Sequence, residues 1–210
     1  MSATPTTGRS YHHGDLRKTL IVAASELIEE SGSLNFAMAD AARHAGVSTA
    51  APYRHFRDKD ALLESVSQLA FYGLGVAVRE AAEQTERGSI ETIIAIGCTY
   101  VDYVIDKAAF YDLMWGDIGA RAMDHESFDK KASGFYQLVD ALQAYLDAQD
   151  LDAVDVLDTA VKLWTLVHGM SAVSMSGKLP HFHPTADIHA MLDSATRTFF
   201  LGLRHQHADA

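Results

Sequence analysis

Leu34-Asn-Phe-Ala-Met-Ala-Asp-Ala-Ala-Arg-His-Ala-Gly-Val-Ser-Thr-Ala-Ala-Pro-Tyr-Arg-His-Phe-Arg-Asp-Lys-Asp-Ala-Leu-Leu-Glu64 is the stretch on which the fold turns. It predicts a short helix over about Met38–Ala45, a turn at Gly46, and a second short helix over about Thr49–Phe56. A third, longer helix opens at Asp58 or Lys59. Gly46 supplies the left-handed backbone that ends the first helix. Ser48 is placed to cap the second. Pro52 falls at the end of that helix's first turn, where a missing amide hydrogen costs least. A short helix, a tight turn and a second short helix form the geometry that puts one helix into the DNA major groove.

Outward from this unit, helical periodicity dominates the chain. Leu16, Leu20, Ala23, Ala24, Leu27 and Ile28 form one stripe, so a helix is expected over about Asp15–Ser31. Asp15 sits in its first turn, where a negative charge suits the helix dipole, and Gly32 follows its end. The helix opened at Asp58 or Lys59 reaches about Gln84. Further helices are expected over about Ile90–Lys107 (capped by Ser89), Ala109–Trp115, Ser127–Ala148, Asp152–Met175 and Thr185–Arg204. A Gly/Asp-rich loop follows Trp115, and Gly177-Lys-Leu-Pro180 forces another. No strand, internal repeat or low-complexity stretch is visible. The fold class is all-α, about nine helices, with a domain boundary at residues 58 and 59.

The last helix is apolar on more than one side. Ile188, Met191, Leu192, Ala195 and Phe199 form a stripe, with Phe200, Leu201 and Leu203 off it. Such a helix needs more than one partner, and a second subunit is the natural one. Phe199 is the expected centre of that interface, with Leu192 and Ala195 beside it.

Composition narrows the function. The chain has 210 residues, 48% hydrophobic and 21% charged, which excludes a disordered or fibrous protein. No apolar run reaches the roughly 18–20 residues that span a bilayer, and Ser2 to Ser10 lack a signal-peptide core. With one cysteine, Cys98, a cytoplasmic protein is expected. The net charge is −11, but residues 1–60 are neutral, with seven cations: Arg9, Arg17, Lys18, Arg43, Arg54, Arg57 and Lys59. The whole excess of acid lies in residues 61–210. A generally basic architectural DNA binder is therefore disfavoured, and a two-part protein is favoured.

The chemistry of the second short helix points to DNA. Thr49, Ala50 and Ala51 are small enough to let backbone approach base edges, and their methyls suit a thymine methyl. Tyr53 and His55 each offer a hydrogen bond suited to phosphate. Lys59 stands at a helix N-terminus, where ammonium, amides and dipole favour an anion. Val47 and Phe56 are expected anchors for this segment.

Three motifs carry a resemblance: Tyr11-His-His-Gly-Asp-Leu16, Ala41-Ala42 with Ala45-Gly-Val-Ser48, and Pro52-Tyr-Arg-His-Phe56 with Asp58-Lys59-Asp-Ala-Leu-Leu63. Over about residues 10–65 the chain resembles the tetracycline-repressor (TetR) family of bacterial regulators. Trp164-Thr-Leu-Val-His168-Gly169 resembles the Trp-x3-His-Gly element of one C-terminal subtype of that family. The resemblance implies a homodimer through the last two helices, reading a near-palindromic double-stranded DNA operator, one helix-turn-helix per half-site. Residues 1–58 would be the arm and DNA-binding domain, and 59–210 the effector-binding and dimerisation domain. A small molecule bound there would change the spacing of the two reading heads. By position, the resemblance makes Ser48, Tyr53, His55 and Lys59 phosphate contacts and Thr49 and Ala51 base readers, with Ala50 alongside and Arg54 a further candidate. Ala39 departs from the pattern: many relatives carry a long polar side chain there that reaches DNA.

The C-terminal part gathers aromatics, among them Tyr100, Tyr103, Phe110, Tyr111, Trp115, Phe135, Tyr136 and Trp164. Tyr103, Tyr111, Trp115, Phe135, Trp164 and His168 are the expected ligand-binding set, although each also fits plain core packing. His168 shares a face with Trp164 and either holds a ligand group or bonds a buried partner. No cofactor is expected. His181, His183 and His189 with Asp187, and His205 with His207, match no tight metal site. The rival reading is an all-α ligand-binding protein or enzyme without specific DNA binding. No paired carboxylates, glycine-rich phosphate loop or nucleophile elbow supports an enzyme.

Overall fold

The computed structural model describes residues 13–126 and 128–207. Arg9, Tyr11, His12 and Ser127, and the side chains of Asp15 and His207, lie outside that description. Among the described residues every regular element is helical. In chain order these are α1 (His13–Ser31), α2 (Met38–His44), α3 (Lys59–Glu83), α4 (Ile90–Asp106), α5 (Ala108–Trp115), α6 (Asp117–Asp124), α7 (Gly134–Ala148), α8 (Val156–Met175), α9 (Leu179–Phe182) and α10 (Ile188–His207). Nine of these ten have seven residues or more. Two compact units divide the chain, one ending at Val66 and the other starting at Ser67, both within α3.

The N-terminal unit packs α1 against α2 around Leu20, Ala23, Ala24 and Ile28 on one side and Met38, Ala41 and Ala42 on the other. Phe56, Leu62, Leu63 and Val66 complete this core. The α2 end is closed at Gly46 (φ +68°), whose amide donates to the Arg43 carbonyl while the Val47 amide donates to that of Ala42. At the start of α2 the Ala37 amide donates to the Asp40 carboxylate at 2.7 Å. That bond above all, helped by Arg43, holds Asp40 below the usual carboxylate range.

The second short helix is not an α-helix. Residues 48–51 form a turn, followed by a 3-10 turn over Pro52–Arg54. In an α-helix the Ser48 carbonyl would accept the amide four residues on, but that residue is Pro52, which has none. The Ser48 carbonyl takes the Ala51 amide instead, and those of Ala51 and Pro52 take the amides of Arg54 and His55. A chain of i→i+3 bonds results.

The C-terminal unit is built on α4, α7, α8 and α10, with the later part of α3 and the short α5 and α6. Its core holds Ile93, Ile96 and Val101 of α4, Leu138, Leu142 and Leu146 of α7, and Leu163 and Val167 of α8. Several boundaries differ from expectation because acidic or hydroxyl side chains intercept the helix ladder. Asp155 accepts the amides of Leu157 and Asp158, so α8 starts at Val156. Asp187 accepts those of His189 and Ala190, so α10 starts at Ile188. Asp129 and Ser133 bracket a 3-10 turn, Lys130–Ala132, and delay α7 to Gly134. The expected loop after Trp115 is instead α6, which buries Ala122 and sets Asp117 at its positive end. The loop after Gly177 contains the single turn of α9.

Two other expectations are corrected. Thr196 and Phe200 are buried in α10 with Leu192, while Phe199 is half-buried and packs edge-on against Phe200. Leu192 is buried within the chain itself, against Gly97. Also, α3 is long and apolar enough, by length and composition, to cross a membrane; 56% of that stretch is buried.

Candidate functional site

In the N-terminal unit, Ser48, Thr49, Ala50, Tyr53 and Arg54 are exposed together on the turn, with Ala51, His55 and Lys59 half-buried beside them. Tyr53 is 62% exposed. Beneath this surface Pro52 and Phe56 are buried, so the segment is anchored from inside while its polar side faces solvent. Arg17 lies over the Phe56 ring, 5.0 Å from its centroid, and donates to the Ser65 hydroxyl at 2.8 Å. Asp58 caps α3 by accepting the Ala61 amide. The Lys59 ammonium donates to the Leu34 carbonyl at 2.6 Å and sits 4.6 Å from the centre of the Phe36 ring. Lys59 thus clasps the loop before α2, a role that sequence reasoning missed because it depends on a contact 25 residues away.

The C-terminal unit holds a partly open cavity of about 560 Å³. Three of the expected ligand-binding residues line it: Trp115, Phe135 and Trp164. Around them stand Phe71, Leu74 and Val78 of α3, Ile93, Ile96 and Tyr100 of α4, and Phe128. Phe71 meets Trp115 and Phe128 edge to face at 5.3 and 5.5 Å, and Trp164 lies 5.5 Å from Trp115. The α3 residues on this wall were not legible as such in the sequence, since periodicity does not separate packing from lining. Lys130 and Asp124 are the charged lining residues, and both are exposed.

Tyr103, Tyr111 and His168 are not among the lining residues. The Tyr103 hydroxyl donates to the Ala70 carbonyl at 2.9 Å. His168 is held on both ring nitrogens: the Tyr100 hydroxyl is 2.7 Å from Nδ1 and that of Tyr111 2.8 Å from Nε2. Burial lowers the His168 pKa and raises those of both tyrosines. The Trp115 indole N–H is buried and makes no well-aligned hydrogen bond, its polar neighbour being the Tyr100 hydroxyl. It lies near enough to Tyr100 to offset part of that tyrosine's rise.

Elsewhere, His189 pairs with Asp102 at 2.8 Å and Asp187 is occupied as a helix cap. Cys98 is half-buried; burial first, then Asp102, Asp193 and Asp187, raise its thiol pKa, which disfavours the reactive thiolate.

A helix-turn-helix unit joined to a helical unit with an apolar cavity defines a DNA-binding transcriptional regulator. Two family models match the chain: bacterial regulatory proteins of the tetR family over residues 20–66, and the tetracyclin repressor-like C-terminal domain over residues 93–199. The second spans just over half of the chain, which therefore belongs to the TetR family, whose regulators are not enzymes. A search of curated proteins found no match. Among solved structures, the chain is similar to a Rhodococcus protein of unknown function, at 26% identity and TM-score 0.73, covering 93% of this chain and 98% of that one. It is similar in fold to RolR in complex with resorcinol (15% identity, 87% and 86% covered, TM-score 0.64). It also resembles in fold the Pseudomonas aeruginosa repressor MexZ (18% identity, 90% and 94% covered, TM-score 0.59).

Proposed function

We propose that the protein is a homodimeric cytoplasmic repressor, released from a near-palindromic operator by a small, largely apolar ligand held in the 560 Å³ cavity. The observation that carries this reading is an aromatic-walled cavity in the same chain as an exposed helix-turn-helix surface. Ser48, Tyr53, His55 and Lys59 hold phosphates, and Thr49 and Ala51, with Ala50 and Arg54, face bases. The Trp164, His168 and Gly169 positions fit the Trp-x3-His-Gly subtype. A ligand pressing on Phe71, Leu74 and Val78 displaces α3, the helix whose first turns belong to the DNA-binding unit.

The dimer uses the outward faces of α8 and α10. Leu157 of α8 and Leu201 of α10 are 53% and 63% exposed in the single chain. Two copies of such faces make a four-helix bundle, and two reading heads one DNA turn apart, about 34–36 Å, then engage both half-sites. The test is a gel shift with DNA from upstream of the protein's own gene, with footprinting of the bound site. A two-fold footprint abolished by a cavity ligand is expected. Failure to bind any such DNA specifically favours the rival ligand-binding protein.

A further inference from the structure

Most polar groups on the cavity wall are engaged, sealed or set in solvent. The Tyr100 hydroxyl is bonded to His168, and that of Ser133 donates to the Lys130 carbonyl. The Trp115 N–H is sealed beside Tyr100. Asp124, Lys130 and Tyr136 are exposed and mark the open side. Thr196 of α10 is different. It lines the cavity at 3% exposure, and its hydroxyl makes no hydrogen bond among the described residues. A threonine or serine inside a helix commonly gives its hydrogen to the carbonyl four residues back. Thr198 on the same helix does so to Ser194 at 2.8 Å, and Ser171 of α8 to Val167 at 2.9 Å. Thr196 makes no such bond to Leu192, and its oxygen is not sealed as that of Ser67 is. The wall nearby is apolar: Leu192, one turn earlier on α10, packs against Gly97 of α4, and both line the cavity.

We propose that the Thr196 hydroxyl is the buried anchor of the cavity, holding a hydroxyl or carbonyl oxygen at the inner end of an otherwise apolar ligand whose body lies among the aromatic rings. A buried hydroxyl without a partner is costly, and a ligand atom that pairs with it recovers that cost. The threonine hydroxyl has one hydrogen to give and lone pairs to offer. It donates to a carbonyl, and it donates to or accepts from a ligand hydroxyl. A carboxylate is disfavoured at this end, because Lys130, the cationic residue of the lining, is exposed on the open side. The inference rests on the reading of this cavity as a ligand site and adds which end of the ligand is polar and which side chain holds it.

The test is a cycle of probes and variants, read by calorimetry on the full chain without DNA. 2-Naphthol and 2-methylnaphthalene differ by a hydroxyl in place of a methyl, and Thr196→Val makes the matching exchange in the protein. The preference for 2-naphthol, taken as the ratio of the two dissociation constants, should fall about tenfold in Thr196→Val and return in Thr196→Ser. Thr198→Val, on the same helix but off the cavity wall, should leave the ratio unchanged, and 2-naphthoate should bind the wild type more weakly than 2-naphthol. A ratio unchanged in Thr196→Val, an equal fall in Thr198→Val, or no binding of either neutral probe overturns the proposal. So does tightest binding of 2-naphthoate that is lost in Lys130→Ala, which would put the polar end of the ligand at the open side. If Thr196→Val does not fold, Thr196→Ala takes its place in the cycle. Probes that give the expected cycle but never release operator DNA leave this inference standing and remove the effector reading. Operator release that Thr196→Val leaves unaltered does the reverse.

Discussion

At the scale of single residues, the proposed phosphate contact of Lys59 comes on top of a structural role. Lys59 donates to Leu34 and covers Phe36, so it holds its own unit together before it meets any phosphate. Lys59→Ala should therefore lower stability by about 1–2 kcal/mol as well as weaken DNA binding. The binding loss should be uniform across operator sequences, with the salt slope reduced by about one; a loss confined to one base pair would refute the phosphate role. Thr49→Ala is the contrast: exposed and small, it should shift preference at one base pair per half-site by about 1–3 kcal/mol, read by competition with single-base operator variants. His168 supplies a pH dependence. Its folded pKa lies below the ordinary histidine value, so below that value the unfolded chain binds more protons than the folded one. The stability it contributes is present at neutral pH and is lost as pH falls through its lowered pKa. Thermal melts from pH 7.5 down to 5 should fall more steeply for the wild type than for His168→Gln; parallel curves would show that His168 does not titrate as described.

At the scale of elements, local chemistry overrode periodicity wherever a side chain or a missing amide redirected the backbone. Pro52 converts an expected helix into i→i+3 turns, and Asp155 and Asp187 move two helix starts. These signals stand in the sequence but compete with an apolar pattern that continues past them. The packing of α6 on α5 was not legible, since a Gly/Asp-rich segment reads as loop until its neighbour is known. Gly119 explains the fit: a Cβ there would lie 1.8 Å from the Met114 carbonyl oxygen. Gly119→Ala should force α5 and α6 apart and cost about 1–3 kcal/mol by chemical denaturation. An unchanged midpoint would show that the two short helices separate freely.

At the scale of the whole molecule, the proposed function needs a second copy and a ligand. Leu201 is mostly exposed in the single chain, so Leu201→Glu leaves the subunit's own core intact while placing a charge in the proposed interface. Light scattering should show monomers that bind operator poorly; a dimeric mutant with normal binding moves the interface elsewhere. Trp115 and Trp164 are the protein's two tryptophans, and both line the cavity, so intrinsic fluorescence reports its occupancy directly. Trp164→Ala should abolish ligand release of DNA without abolishing DNA binding, provided melts confirm folding, since truncating a fully buried aromatic costs about 3–5 kcal/mol and Trp164 is half-buried. A folded variant still released by the same ligand would take Trp164 out of the site.

By itself the sequence determined the all-α class, the helix-turn-helix and the side chains it exposes, because these depend on residues within one or two turns of each other. Gly46, Pro52, Phe56 and Asp58 act locally, and local order is written in spacing. Only the tertiary structure decided which aromatics line a cavity and which hold it from behind. Trp115, Phe135 and Trp164 line it, whereas Tyr111 and His168 support Tyr100 from the second rank, and Phe71 arrives from a different helix. Those assignments join residues far apart in the chain, 68 and 57 positions for the two tyrosines on His168, and an apolar side chain packs a core or walls a cavity with the same periodicity. Which of the two it does depends on how closely the opposing helix approaches.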